Sequence, residues 1–231
     1  MSEPVSDTSR HGLVALGDSI TRASGEAMLG LAMRSWALWL AEALELPFTC
    51  LAVNGARASD ARLLQLPRLK GPYDVGCVYI GVNDVRSPDW HPESYSEDLD
   101  AIVAAVASSA RTLLLLRLPQ QIGRPPAPRE AIAAANRTIE LVGARHCALV
   151  VDLASMQGAE LVLPDAVHLT ARGEAHLAQL AAARLGEAGI PSEQREIREA
   201  LTPLGACARL RYAGGAGALA RLRDWRRRLS E

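Results

Sequence analysis

Five short apolar runs, spaced by longer stretches of helical periodicity, constrain this chain more than any other feature. They read GLVAL (12–16), FTCLAV (48–53), VGCVYI (75–80), TLLLL (112–116) and CALVVD (147–152). Hydrophobicity that is nearly continuous, rather than alternating, marks strands covered on both faces, as in a parallel sheet. Between the first two runs, Trp36, Trp39, Leu40, Ala43 and Leu44 recur at helical spacing, which predicts a helix over 31–46 ended by Pro47. Further helices are expected over 94–109, 128–145 and 171–188, the last entered through Thr170 as N-cap. Right-handed crossovers turn this alternation into a three-layer α/β/α doubly wound sheet, in which functional residues gather beyond the carboxyl ends of the strands.

With 231 residues, 49% of them hydrophobic, the chain can bury a core of one-domain size. The expected division is a catalytic-size domain over 1–190 and a helical extension over 191–231. A formal net charge of -1 provides no global field for nucleic acid, so the expected partner is a small molecule. The leader MSEPVSDTSRHG has no apolar core of a secretory signal, and no run reaches the length of a membrane span. Cys50, Cys77, Cys147 and Cys207 are scattered without zinc-type spacing, and the first three lie in apolar stretches that favour buried free thiols. A reduced, cytoplasmic protein without a metal is expected.

Two segments break the rhythm. The Pro-rich stretch LPQQIGRPPAPRE (118–130) reads as an exposed loop at the carboxyl edge of the fourth strand, either flanking a cleft or merely connecting. In the tail, ALARLRDWRRRL places Leu219, Leu222, Trp225 and Leu229 on one stripe among five arginines. Docking of that stripe on the domain is the favoured reading, with contact to anionic lipid as the lesser one.

The first strand ends in GDSIT, which puts Ser19 at the carboxyl edge, near the start of the next helix, with Asp18 and Ser19 also plausible caps. A serine hydroxyl needs a base to act as a nucleophile. Of the five histidines, His11, His91, His146 and His176 fall in the leader, a loop, a helix end and a helix. His168, in LPDAVHLTARGEAHLA, follows Asp165 by three residues in a loop, so one turn lets the carboxylate accept the Nδ1 hydrogen and leave Nε2 facing outward. Oxyanion donors are available at LAVNGARASD, with Asn54 and Gly55 after the second strand, and at IGVNDVRS, with Gly81, Asn83 and Asp84 after the third. Each stretch alone is an ordinary turn. In a doubly wound sheet the ends of the first three strands lie side by side, so the Ser19 amide, the Gly55 amide and the Asn83 side chain can converge.

These blocks, GDSIT, LAVNGA, GVND and DAVH, resemble in type and order those of the GDSL/SGNH hydrolases over about residues 12–185. The resemblance implies a flavodoxin-like sheet of strand order 2-1-3-4-5, no metal and no cofactor. It further implies Ser19 as nucleophile, His168 as base oriented by Asp165, and an oxyanion hole of Ser19, Gly55 and Asn83. The second block departs from the usual pattern, and an alternative register puts Ser59 in the place of the glycine. No G-x-S-x-G elbow surrounds Ser19, which argues against the α/β-hydrolase fold. The expected activity is cleavage of a carboxylic ester of a small or acylated substrate through an acyl-enzyme. The alternatives are an acyltransferase, a thioesterase or a lysophospholipase using the same site. Met28, Leu29, Leu31 and Met33 are candidates for either an acyl pocket or the core.

Overall fold

The apolar runs become strands β1 (Leu13–Gly17), β2 (Phe48–Cys50), β3 (Tyr73–Tyr79), β4 (Ala110–Leu116) and β5 (Leu149–Val151). All four pairings are parallel, and the order is β2-β1-β3-β4-β5, as expected. The structure, a computed structural model, describes residues 11–205. Helices α1 (Trp36–Ala43) and α6 (Ala171–Glu187) pack together on one face of the sheet, and α4 (Pro92–Ser109) packs with α5 (Arg129–Arg145) on the other. Because both faces are covered, every residue of β1 is buried, which is why the run carries no polar alternation.

Two helical pieces escaped the sequence reading, and a third lies within the helical extension expected over 191–231. Residues Ala58–Asp60 form a short α2 that runs on as a π-helical turn, Ala61–Gln65, and a 3-10 turn, Leu66–Arg68. Helices α3 (Val82–Val85) and α7 (Arg195–Ala200) are likewise short. In α7 only Ile197 is buried, so the apolar period is too brief to see.

The helix expected over 31–46 is shorter than its apolar spacing suggests. Leu31 instead bridges Met28 in a tight antiparallel pair, and Ser35 caps the helix by accepting the Ala37 amide at 3.2 Å. At the other end the chain turns before Pro47, with Glu45 in a left-handed conformation at φ 54°. Pro47 has another role: its carbonyl accepts the Leu13 amide at 2.7 Å and so starts β1. A second device holds α1 from outside. The carboxyl of Glu174, wholly buried on α6, accepts the Trp36 amide at 2.7 Å, and burial pushes its pKa well above the usual range. Glu174 thus serves as a helix cap from another helix.

The tail begins on the domain. Glu193 donates its amide to Ala43 O at 2.7 Å, and the Arg172 guanidinium grips the carbonyls of Ala200, Leu201 and Thr202 at 2.9 to 3.2 Å. The basic stripe from Leu219 to Leu229, with Cys207, lies outside the described residues. Cys77 is buried, Cys50 is half-buried and Cys147, expected inside, is exposed, because it sits in the left-handed turn after α5 at φ 54°. Among the described residues no helix is long and apolar enough to cross a membrane.

Candidate active site

The end of β1 is fixed before the serine is reached. Gln65, fully buried, accepts the Gly17 amide at 3.0 Å and donates to the Gly17 carbonyl at 2.8 Å. A side chain at Gly17 would meet the Tyr79 carbonyl and the Thr21 hydroxyl, each at 2.5 Å, so only glycine lets the backbone turn there. Asp18 is then driven inward, with no exposed surface, where Oδ1 accepts the Ile20 amide at 2.9 Å. Burial raises its pKa to about 7, against the opposing hydrogen bond from Ile20 and the nearby His168.

Ser19 does not cap a helix, since α1 begins only at Trp36. The residues after it close a single turn instead, with Arg22 donating to Asp18 O at 3.1 Å and Ser24 to Ser19 O at 2.9 Å. The amide of Ser19 has no hydrogen-bond partner among the described residues.

His168 arrives from the far end of the chain. Its loop is joined to the segment after the serine by a Glu26–Thr170 bridge and by the Ala171 amide donating to Glu26 O at 2.9 Å. A Cβ on Gly25 would lie 2.0 Å from Leu169 O, so the two segments approach as closely as a glycine allows. The result is a chain of two contacts: Asp165 Oδ2 to His168 Nδ1 at 2.7 Å, and His168 Nε2 to Ser19 Oγ at 3.0 Å. With the Nδ1 hydrogen directed at Asp165, Nε2 is the acceptor for the serine hydroxyl. Burial alone would raise the Asp165 carboxyl, but the bonds from the His168 side chain and the Val167 and His168 amides outweigh it and hold the pKa at about 2. Asp165 therefore stays anionic beside the imidazole.

The other blocks meet at one side chain. Asn83 Nδ2 donates to Ala56 O at 3.0 Å and lies 3.5 Å from Asp18 Oδ2, so it links the neighbour of Gly55 to the neighbour of Ser19. Gly55 has φ 74° in the turn after β2, with its amide unpartnered among the described residues. Ser59 instead sits exposed within α2, away from this link. Asp84, pushed up to about 6 by burial, anchors α2 by accepting the Ala58 amide at 3.0 Å. The remaining histidines are engaged elsewhere: His91 with Glu93, His146 with Asp100 and His176 with Ser155, while the His11 amide donates to Asp74.

The Pro-rich loop does reach this edge, because the Gly123 amide donates to Ala166 O at 2.7 Å, inside the Asp165–His168 turn. Of the four apolar residues after the serine, Met28 is core and Leu29 is exposed. Among the described residues no cluster of His, Cys, Asp and Glu is arranged to hold a metal ion. Gln65 and Glu174 are the structural residues that motif reading missed; they act over 48 and 138 residues of sequence, and no local signal marks them.

Comparison with known proteins bears on the family and the fold. The model of the GDSL-like lipase/acylhydrolase family matches residues 15–176. Axe2, an acetylxylan esterase from Geobacillus stearothermophilus, shares the fold at TM-score 0.59 and 21% identity, over 76% of this chain and 94% of that one. LAE5, an alpha/beta hydrolase enzyme from the metagenome of Lake Arreo in Spain, superposes at TM-score 0.59 with 26% identity, over 75% and 94%. No curated protein matches the chain.

Proposed function

The chain belongs to the GDSL-like lipase/acylhydrolase family and is an ester-hydrolysing enzyme, and from that premise we propose that it works through an acyl-enzyme on Ser19. The observation that carries the proposal is the continuous relay from Asp165 through His168 to the serine hydroxyl, at 2.7 and 3.0 Å. His168 Nε2 takes the Ser19 proton as Oγ attacks the ester carbonyl carbon, and the carbonyl π pair moves onto oxygen. Collapse of the tetrahedral intermediate expels the alcohol oxygen, which receives the same proton from His168. Water, deprotonated by His168 in its turn, then releases the acid and restores the serine.

The developing oxyanion is received by the amides of Ser19 and Gly55 and by Asn83 Nδ2. Only the bond to Ala56 O occupies Asn83 firmly; the 3.5 Å contact to Asp18 is at the limit of bonding, so the second amide hydrogen is free to turn to an incoming oxygen. Asp165, anionic throughout the neutral range, fixes the imidazole tautomer and stabilises the imidazolium when it forms.

The substrate we propose is a short-chain acyl ester of a small alcohol or sugar. Met28, one of the candidates for an acyl pocket, is buried in the core, and the structural neighbour Axe2 is named for an acetyl ester. Three free thiols among the described residues suit a reducing, cytoplasmic setting. The test is hydrolysis of p-nitrophenyl esters of increasing chain length by the wild type and by Ser19→Ala. Turnover that is greatest for acetate and lost in the variant supports the proposal. Equal turnover in both proteins overturns it, and product esters formed in the presence of added alcohols identify acyl transfer in place of hydrolysis.

A further inference from the structure

Beyond the catalytic blocks, the structure holds a cavity of about 460 Å³ between the start of the β4–α5 loop and the exposed face of α5. None of Ser19, Gly55, Asn83, Asp165 or His168 lines it. Its walls are rich in nitrogen donors: Arg117 at the end of β4, Gln120 and Gln121 on the loop, and Arg129 and Arg137 on the helix, with Ile132 at the floor. Arg129 and Arg137, eight residues apart on α5, both line this cavity.

The cavity is built rather than incidental. Asn136, buried on α5, accepts the Leu118 amide at 2.7 Å and donates to the Leu118 carbonyl at 3.0 Å, pinning the loop over the helix. Arg117 is anchored by its own amide to Val151 O at 3.0 Å, which extends the β4–β5 ladder by one residue. Its guanidinium is under-satisfied: Glu140 and Asp152 lie at 3.3 and 3.7 Å, longer than a good charged hydrogen bond, and Nε is buried with no partner. Arg129 and Arg137 have no acidic partner among the described residues. Three arginines thus line the cavity against one lining carboxylate, Glu140, while Asp152 approaches Arg117 from outside the lining. Guanidinium groups match carboxylate and phosphate oxygens through paired N–H donors, and two glutamine amides add further donors.

We propose that this cavity is a second, non-catalytic binding site for a small organic anion. The oxyanion group, phosphate or carboxylate, sits between Arg129, Arg137 and Arg117, with Gln120 and Gln121 at its edge and the carbon skeleton over Ile132. The loop that closes the cavity continues to Gly123, whose amide holds the turn between Asp165 and His168, so an occupant touches the segment that supports the base.

The test is calorimetric titration of the full chain with pyrophosphate and, separately, with citrate, at ionic strength held constant with sodium chloride. The wild type should bind one of them saturably at one site, and the better ligand of the two identifies phosphate or carboxylate as the preferred group. Arg129→Glu with Arg137→Glu should weaken that binding at least about tenfold, with p-nitrophenyl acetate turnover of the anion-free protein unchanged. Gln121→Glu, which places a negative charge in the cavity from the loop and leaves α5 untouched, should weaken it as well. No saturable heat with either anion, the same affinity in wild type and both variants, or competition with the ester at unchanged affinity in the variants would overturn the proposal.

Discussion

Replacing Asp18 by Asn removes a carboxyl that the fold buries completely beside the nucleophile. In the native state its pKa is about 7, against 3.8 for the group in solution. A carboxyl whose pKa is raised on folding binds its proton more tightly in the native state than in the unfolded one. Its contribution is therefore favourable at low pH and is lost as pH rises from about 4 through about 7. Three pKa units correspond to about 4 kcal/mol, taken as an order of magnitude. Asn retains Oδ1 as acceptor for the Ile20 amide but carries no charge to desolvate, so its stability lacks this pH-dependent part. Urea denaturation of both proteins at pH 4 and pH 8 measures the effect. Asp84 and Glu174 titrate in the same direction in both proteins, and because both are coupled by charge to Asp18, the difference between wild type and variant reports Asp18 together with that coupling. Relative to wild type, Asp18→Asn should gain a few kcal/mol between the two pH values. A difference that stays constant within about 1 kcal/mol would refute the claim that a buried Asp18 ionises at a cost to the fold.

Asn83→Ala should lower turnover roughly 100- to 1000-fold with little change in KM, by the loss of one oxyanion donor; unchanged turnover in steady-state kinetics would remove Asn83 from the mechanism. Asp165→Asn should lower turnover on the order of 1000- to 10000-fold, because the neutral amide no longer fixes the His168 tautomer. The same variant tests the sign of linkage in acid: the lowered Asp165 pKa provides stability above its solution value of 3.8 that is lost as pH falls through about 2, so acid denaturation curves of wild type and variant should converge there. Gln65→Leu strands the Gly17 amide and carbonyl in the interior and should cost roughly 2 to 6 kcal/mol by chemical denaturation.

The strands and the Asp165–His168 pair were legible because their signals are local. A run such as TLLLL reports two-sided burial in its own composition, and Asp165 and His168 lie within one turn of each other. The convergence of Ser19, Gly55 and Asn83 on one edge followed from strand order, since β1 lies between β2 and β3. Features set by distant partners were not legible. Gln65 sits in a π-helical turn that no apolar period marks, and its purpose is visible only when Gly17 lies against it. Glu174 reads as an ordinary polar helix position, yet it faces α1 and caps it. The early part of the 31–46 stretch misled for a related reason: the period that starts at Trp36 does not mark where the helix begins, and the Met28–Leu31 bridge takes the preceding chain while the Ser35 cap delays the helix. Packing, rather than propensity, decided each of these positions.

In the proposed mechanism Ser19 carries the acyl group between the two half-reactions. Rapid quenching of the enzyme with p-nitrophenyl acetate, followed by proteolysis and mass spectrometry, tests it directly. An acetyl adduct is expected on the peptide containing Ser19 in the wild type and none in Ser19→Ala. Ester cleavage at full rate with the acetyl group on another residue, or with Ser19→Ala as active as wild type, would contradict it.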